Sequence, residues 1–254
     1  MTRARVIPVL LLKGNGLYKT IKFKKPIYIG DPINAVKIFS EKEVDEIALL
    51  DIDASLKKTI PNYKLIEDIA SECFVPLTYG GGVSSTEQFK TVLSLGVEKV
   101  AINSALFFDN NLVEETASIF GAQSIVASVD VRKRVWGYSA YTHGGNVRVK
   151  MSLSQILNNL KSKQIGEIFL NSIDNDGTMN GYDLDLIEKV SSNATVPVTA
   201  CGGCSDIDNF RDALNHGASA VAAGSLFVFK GSRNSVLINY PTQSMLKESV
   251  FSKT

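Results

Sequence analysis

Two segments of the chain resemble each other at a constant spacing of 121 residues. Val75-Pro-Leu-Thr-Tyr-Gly-Gly-Gly82 superposes on Val196-Pro-Val-Thr-Ala-Cys-Gly-Gly203. The same spacing also pairs Glu46 with Glu167, Asp53 with Asp174, Phe89 with Phe210, Leu93 with Leu214, Gly96 with Gly217, Val100 with Val221, Ala101 with Ala222 and Ser104 with Ser225. Chance similarity between two segments would not keep one spacing over this distance. The repeat therefore predicts two similar halves.

Short apolar runs alternate with helical patterns along both halves. The runs predict eight strands buried on both faces and joined by helices, which is typical of a parallel sheet. They are Arg5–Leu11, Glu46–Ile52, Val75–Tyr79, Lys99–Ile102, Ser124–Val129, Glu167–Asn171, Val196–Ala200 and Ala220–Ala223. Eight such units and 254 residues match one α/β (βα)8 TIM barrel, which typically uses about 250 residues. We predict a single domain over 1–254, with half-barrels at about 1–122 and 123–230 and a C-terminal tail at 231–254.

One insertion interrupts this rhythm after the fifth predicted strand. Alternating residues around His143-Gly-Gly145 predict a β-hairpin that carries Trp136, the only tryptophan. The hairpin is either a flap over a substrate site or a simple packing element, and the sequence leaves both interpretations open.

Composition limits the partners. The formal net charge of +1 argues against a nucleic-acid or membrane-surface partner, and no apolar stretch approaches the roughly 20 residues of a membrane helix. We expect a cytoplasmic protein. The three cysteines fit a reducing compartment, and Cys201-Gly-Gly-Cys204 is either a tight turn or a redox or half-zinc pair. With no second cysteine pair and only two histidines, the turn is favoured and no metal is predicted.

Two glycine-rich turns indicate sites for phosphate. Gly80-Gly-Gly82 and Gly202-Gly203 follow the third and seventh strands, where glycine lets backbone N–H groups approach an anion. Asn103-Ser104 and Gly224-Ser225 follow the fourth and eighth strands and precede short helical segments. The two sets, related by the repeat, predict a ligand with two phosphates. Asp176, Gly177 and Thr178 either join the second set or form an Asx-rich turn without a ligand.

Carboxylates should gather at the same face. Asp51 and Asp53 end the second strand, Asp130 ends the fifth, and Asp174 and Asp176 follow the sixth. They are candidates for general acid–base catalysis, although some could only cap the next helix. A shift of 119 residues aligns the first strand with the fifth and places Leu11 opposite Asp130. The predicted site therefore has one central carboxylate where the symmetry would allow two.

Charges also mark the opposite face. Arg5, Glu46, Lys99 and Glu167 begin the first, second, fourth and sixth predicted strands. Such charges are either solvated ion pairs or a closed ring that plugs the barrel and acts as a gate.

From about Arg5 to Phe229 the sequence resembles the HisF family, the cyclase subunits of imidazole glycerol phosphate synthase. The motifs that carry the resemblance are Gly30-Asp-Pro32, Leu50-Asp-Ile-Asp-Ala-Ser55, Gly80-Gly-Gly-Val83, Val129-Asp130, Ser172-Ile-Asp-Asn-Asp-Gly-Thr178, Gly181-Tyr-Asp183 and the two phosphate sets. The related isomerase of histidine biosynthesis shares the repeat, but the predicted hairpin and the four-charge set favour HisF.

The resemblance implies a heterodimer in which a HisH-like glutaminase docks on the N-terminal face and supplies ammonia through the charged ring. It implies no cofactor. Asp130 matches one of two catalytic aspartates, with Asp51 as a candidate auxiliary acid, whereas the other catalytic aspartate falls on Leu11. The residues that match phosphate ligands are Gly82, Asn103, Ser104, Asp176, Gly177, Gly203, Gly224 and Ser225.

Three functions follow as hypotheses. The segments Val6–Gly14, Lys22–Lys24 and Ile238–Pro241 resemble a HisF branch linked to surface-polysaccharide synthesis, in which a HisH-like glutaminase and a separate sugar amidotransferase form acetamidino sugars. The leading expectation is therefore a subunit that passes ammonia to this reaction. The alternatives are an active cyclase (a lyase) of histidine biosynthesis that uses Asp130, and a non-catalytic scaffold for the amidotransferase.

Overall fold

The computed structural model describes residues 3–108, 111–230 and 235–251. Its strands are β1 Arg5–Lys13, β2 Gly16–Ile21, β3 Lys24–Gly30, β4 Ile47–Asp51, β5 Leu77–Gly80, β6 Lys99–Ile102, β7 Ile125–Arg134, β8 Gly137–Thr142, β9 Val147–Arg148, β10 Glu167–Ser172, β11 Val198–Cys201, β12 Ala220–Ala223, β13 Phe229–Lys230 and β14 Ser235–Val236. Its helices are α1 Pro32–Glu41, α2 Ala54–Lys57, α3 Tyr63–Ser71, α4 Thr86–Ser94, α5 Ser104–Phe108, α6 Leu112–Phe120, α7 Leu153–Ser162, α8 Leu184–Ser191, α9 Ile207–Asn215, α10 Ser225–Val228 and α11 Gln243–Leu246. A 3-10 turn covers Ala122–Ser124 and a π-helical turn covers Lys247–Phe251.

Eight parallel strands close into a barrel. Their order is β1, β4, β5, β6, β7, β10, β11 and β12, and β12 pairs with β1 again. The pairs β6–β7 and β12–β1 join the two predicted halves, and the pair β7–β10, within the second half, places Asp130 beside Asn171. Helices follow the strands along the chain, so the predicted (βα)8 barrel is confirmed.

The repeat is visible in the hydrogen bonds at the strand starts. The Ile47 N–H donates to the Pro76 carbonyl and the Ile168 N–H to the Pro197 carbonyl, each at 2.9 Å. Both pairs are related by the spacing of 121 residues. Because proline has no N–H for a ladder, β5 and β11 begin after these prolines, two residues later than predicted.

The apolar residues form two layers. One layer lies between the strands and the surrounding helices. The other fills the barrel interior and consists mainly of small and aliphatic side chains: Ile7, Val9, Leu11, Ala48, Ala101, Val126, Phe169, Cys201, Ala220 and Ala222. The barrel axis is therefore lined by apolar groups between its two ends.

Two hairpins extend beyond the barrel, after β1 and after β7. The first, β2–β3, was not predicted from the sequence. The second was predicted around the turn at His143-Gly-Gly145, which is confirmed, and it has a further turn that was not predicted. Val135 and Trp136 connect β7 to β8, whereas the His143–Gly145 segment lies between β8 and β9. The first and fifth barrel strands thus carry equivalent insertions.

The C-terminal segment packs against the barrel. The Tyr240 hydroxyl donates to the Val6 carbonyl at 2.9 Å, and the π-helical turn contacts α9. Of the predicted tail 231–254, residues 231–234 and 252–254 lie outside the described part, as do residues 1–2 and 109–110. The domain and half-barrel boundaries stay predictions. Across the described ranges, every helix is too short or too polar to cross a membrane.

Candidate active site

A cavity of about 580 Å³ opens at the carboxyl ends of the barrel strands. It brings together ten of the residues that the sequence predicted for catalysis and phosphate binding: Asp51, Gly82, Asn103, Ser104, Asp130, Asp176, Gly177, Gly203, Gly224 and Ser225. The candidates Asp174 and Thr178 do not line it: Asp174 Oδ2 accepts from the Lys133 N–H, and the Thr178 hydroxyl donates to the Asn175 carbonyl, each at 2.8 Å. The four predicted gate residues lie elsewhere, at the amino ends of the strands. The face at the carboxyl ends, which holds the cavity, is where (βα)8 enzymes place their active sites.

The first predicted phosphate set lies beside Asp130. Gly82 has φ +72°, and a Cβ there would lie 2.6 Å from the Thr59 carbonyl oxygen, so only glycine fits. Asn103 Nδ2 donates to the Ser128 carbonyl at 3.0 Å and to Asp130 Oδ2 at 3.2 Å. Asn103 therefore connects this set to the central carboxylate.

The second predicted set contains a cation that the sequence interpretation missed. Lys19, on β2, is buried, and a Cβ on Gly224 would lie 2.0 Å from its Nζ. Burial raises the pKa of Asp176, while Lys19 and the Thr20 hydroxyl, which donates to Asp176 Oδ2 at 3.1 Å, oppose that shift. Positive charge is therefore present where a phosphate would bind.

Asp130 is the titratable group best suited to proton transfer near neutral pH. Burial, with a smaller contribution from the charge of Asp176, raises the pKa of Asp130 to about 7. A carboxyl group with this pKa can act as an acid or as a base. Leu11 lines the same cavity, is 8% exposed and belongs to the apolar interior layer. The predicted asymmetry is thus present in the structure.

Asp51 serves a structural purpose as well as lining the cavity. Its Oδ1 accepts hydrogen bonds from the backbone N–H groups of Asp53 at 2.9 Å and Ala54 at 3.1 Å, at the start of α2. Burial raises the pKa of Asp51, and these two hydrogen bonds oppose the shift. Both interpretations made from the sequence, a helix-capping carboxylate and a cavity acid, match its position.

The second hairpin contributes to the cavity through one turn only. His143, Gly144 and Asn146 line the cavity. Trp136 lies at the other turn and is 95% exposed. Only the turn between β8 and β9 is therefore placed beside the cavity, and the choice between a flap and a packing element stays a prediction.

At the opposite end of the barrel, the four predicted gate residues form a closed ring of ion pairs. Arg5 pairs with Glu46, and its Nη2 lies 2.9 Å from Glu167 Oε1. Lys99 Nζ lies 2.7 Å from Glu46 Oε2 and 3.2 Å from Glu167 Oε2. Each cation therefore bridges both carboxylates.

Two buried threonines complete the ring. Thr78 Oγ1 donates to Glu46 at 2.6 Å, and Thr199 Oγ1 donates to Glu167. Burial alone would raise the pKa of Glu167, but Arg5, Lys99 and Thr199 together lower it. Each carboxylate of the ring therefore contacts both cations and one threonine hydroxyl.

The cysteines form no disulfide. Cys73, Cys201 and Cys204 are free thiols, and burial raises the pKa of Cys204 to about 12. Among the residues that the structure describes, no cluster of three His, Cys, Asp or Glu side chains is arranged to hold a metal ion. The expectation of no cofactor stays a prediction.

The fold and the cavity define a (βα)8 barrel with paired glycine-rich turns at its carboxyl end. The family described as "Histidine biosynthesis protein" matches residues 5–233, and the chain belongs to this family, among the relatives of the imidazole glycerol phosphate synthase subunit HisF. The resemblance seen in the sequence is thereby confirmed at the level of the family.

Three relatives illustrate the range of similarity. A Pseudomonas aeruginosa protein named "Putative imidazole glycerol phosphate synthase subunit hisF2" is 52% identical over 97% of this chain and 99% of its own length. A Leptospira borgpetersenii protein named "Putative imidazole glycerol phosphate synthase subunit HisF" is 45% identical over 99% and 100%. The "Imidazole glycerol phosphate synthase subunit HisF" of Clostridium botulinum is 38% identical over 89% and 91%.

Proposed function

We propose that this protein is the ammonia-receiving subunit of a glutamine amidotransferase. A HisH-like glutaminase docks on the N-terminal face as the second subunit of a heterodimer. Ammonia enters at the ring of Arg5, Glu46, Lys99 and Glu167 and crosses the barrel to the cavity. The observation that carries the proposal is the apolar interior that lies between the charged ring and the cavity.

The interior suits a neutral molecule. Ammonia is small and uncharged, whereas ammonium would lose its hydration among side chains such as Val9, Ala48 and Ala222. The ring of paired charges at the entrance would admit ammonia while a glutaminase is bound. The phosphate sets around Gly82 and Gly203 would hold a phosphorylated small molecule at the exit.

We further propose that the ammonia serves acetamidino-sugar formation in surface-polysaccharide synthesis, with a sugar amidotransferase as an additional partner. Leu11 supports this because a leucine transfers no proton. Loss of one of two general acid–base groups costs a reaction about 10²- to 10⁴-fold. An intact ring beside an incomplete acid–base pair suits a protein that supplies ammonia and does not itself cyclise the substrate.

Comparing two nitrogen sources tests the ammonia route. Lys99→Met or Glu167→Gln should lower glutamine-dependent amidation by about tenfold, equivalent to about 1.4 kcal/mol in the barrier. Amidation driven by added ammonium salt should stay near the level of the unmodified protein. Lys64→Met, on the exposed face of α3, is the control. Equal losses with both nitrogen sources would refute passage through the ring.

A second candidate is the cyclase reaction of imidazole glycerol phosphate synthase in histidine biosynthesis. The pKa of about 7 for Asp130 favours it, because one group could then give and take a proton in turn. Incubating this protein with ammonium salt and the ribulosyl substrate of imidazole glycerol phosphate synthase decides between the two candidate functions. A normal cyclase rate would make this candidate correct and the argument from Leu11 wrong.

A non-catalytic scaffold is the third hypothesis. It predicts that the ring and cavity variants change nothing while the complex still assembles. The cytoplasmic location also stays a prediction, which fractionation of cells would test.

A further inference from the structure

The two hairpins carry positive charge without any negative charge. Residues 13–30 and 131–150, which we call the hairpin face, contain five Lys or Arg each and no Asp or Glu. They hold ten of the 27 basic residues of a chain whose net charge is only +1. The hairpin face is therefore strongly basic, while the rest of the chain carries an acidic excess.

Most of this charge is exposed and unpaired. Lys22, Lys24, Lys25, Arg134 and Arg148 are exposed, and none has a carboxylate partner within the described ranges. In contrast, Lys133 lies 3.5 Å from Asp185. A protein of near-zero net charge gains no solubility from concentrating its cations in one place, so a binding role explains them better.

Large apolar side chains lie among these cations. Ile27 is 58% exposed, Tyr28 60%, Val135 89% and Trp136 95%. Exposed aromatic residues beside arginines are typical of the residues that dominate protein–protein binding energy.

The two hairpins meet at the mouth of the cavity. A Cβ on Gly145, beside the turn between β8 and β9, would lie 3.2 Å from the ring of Phe23 at the turn of the first hairpin. Phe23, Pro26, His143 and Asn146 all line the cavity. The hairpin face therefore borders the outlet through which ammonia would leave the barrel.

We propose that the hairpin face docks the enzyme that consumes the ammonia, and that this partner presents an acidic surface with apolar pockets. This inference rests on the proposed function. Free ammonia becomes ammonium in neutral water, so its acceptor must be held at the outlet with water excluded. The two hairpins border the mouth, so a partner held by their exposed basic and apolar groups would cover it, and the partner's carboxylates would complement the unpaired cations.

A protein partner fits better than an anionic membrane. Basic and aromatic side chains also bind bilayers. A bilayer pressed on this face, however, would cover the outlet with lipid and leave no acceptor for ammonia beside it. The position of the cavity mouth between the hairpins thus favours an enzyme.

Binding to a purified sugar amidotransferase from the same organism tests the proposal. The full-length protein with its bound glutaminase is titrated into the amidotransferase in a calorimeter. We expect Trp136→Ala and Lys24→Glu each to weaken binding by at least about 30-fold, the lower limit for an interface hot spot. The matched controls Ile119→Ala on α6 and Lys90→Glu on α4 should bind like the unmodified protein. The affinity should also fall when the NaCl concentration is raised from about 0.05 M to about 0.5 M, because salt screens the charges.

Other outcomes would overturn the proposal. Absence of binding, or equal losses in the hairpin and control variants, would exclude this face as the docking site. Binding to phosphatidylglycerol vesicles that needs Trp136 would assign the face to a membrane, and self-association that needs Trp136 would assign it to a second copy. Equal losses with both nitrogen sources in the Lys99 and Glu167 variants would refute the ammonia route. They would not change the binding results described here, so the two proposals can fail separately.

Discussion

At the scale of single residues, Leu11 and Asp130 define what the cavity can do. Both line the same space, yet one carries a methyl-terminated side chain and the other a carboxyl group with a pKa of about 7. The shift of 119 residues allowed this contrast to be predicted from the sequence. We therefore expect the chemistry of the site to depend on this one position more than on the shape of the barrel.

Leu11→Asp should restore a second carboxylate. We expect ammonia-dependent cyclisation of the ribulosyl substrate to rise by about 10²- to 10⁴-fold, the usual contribution of a positioned proton-transfer group. Leu11→Asn is the matched control, since it adds polarity without an exchangeable acid. The rate is measured by the appearance of imidazole glycerol phosphate. An equal gain in both variants would contradict the role assigned to proton transfer.

Asp130→Asn should change the pH dependence of stability. Since the folded pKa lies near 7 and the ordinary pKa of an aspartic acid side chain is 3.8, the folded protein holds an extra proton between these pH values. Unmodified protein should therefore lose stability as pH rises from about 4 to about 7, at about 1.4 kcal/mol per unit at most. The variant, which does not titrate, should not show this loss. Urea unfolding at several pH values measures the difference, and parallel curves would contradict it.

Some site residues could not be found from the sequence. Lys19 lies on a hairpin that was not predicted, so nothing placed it near Gly224 or Asp176. There was little reason in the sequence to choose Lys19 as a site residue, because lysines at surface hairpins are common. Asp130, by contrast, lies on a barrel strand and Asp176 follows one, so their position followed from the strand prediction.

At the scale of elements, the ring depends on strands that the repeat relates. Glu46 with Thr78 and Glu167 with Thr199 are equivalent pairs at a spacing of 121 residues, whereas Arg5 and Lys99 are not related by it. The four charged positions were predicted from the strand starts. The threonines were missed because a buried hydroxyl gives no sequence pattern of its own.

Thr78→Val and Thr199→Val should destabilise the protein by similar amounts. Each removes a hydroxyl that donates to a buried carboxylate, which typically costs about 1–3 kcal/mol in the free energy of unfolding. Because valine has nearly the same shape, packing should change little. Denaturant unfolding measures both values, and a neutral effect of one variant would contradict the equivalence of the two pairs.

The strands were easier to predict than the hairpins. Barrel strands such as β6 and β12 are short and mostly apolar, which distinguishes them from helices that expose one face. The hairpin β2–β3 has no glycine at its turn, where Lys22 and Phe23 take φ +55° and +62°. Non-glycine residues rarely adopt this conformation, so the usual turn signal was absent.

At the scale of the whole molecule, the barrel and the C-terminal segment form one packed unit. Leu246 and Val250 are fully buried, and Tyr240 reaches back to β1. The closed barrel could be predicted because the repeat required two similar halves and the number of strands matched. The packing of the tail could not, since it follows no repeat.

Leu246→Ala should therefore lower the stability of the entire fold. Replacing a buried leucine with alanine typically costs about 2–5 kcal/mol. Met245→Ala is the matched control, because Met245 is the next residue along the chain and its side chain is 46% exposed. Thermal unfolding followed by circular dichroism measures both. Equal small shifts would indicate that the C-terminal segment contributes little to the barrel.

The exposed position of Trp136 also gives the protein an intrinsic optical reporter. As the only tryptophan, it contributes all the indole fluorescence of the chain, and at 95% exposure it emits from a watery environment whether the barrel is folded or not. Its emission is thus a poor measure of unfolding. It should shift to shorter wavelength when a molecule covers the tip of the second hairpin, so occupancy of that tip can be followed without any added dye.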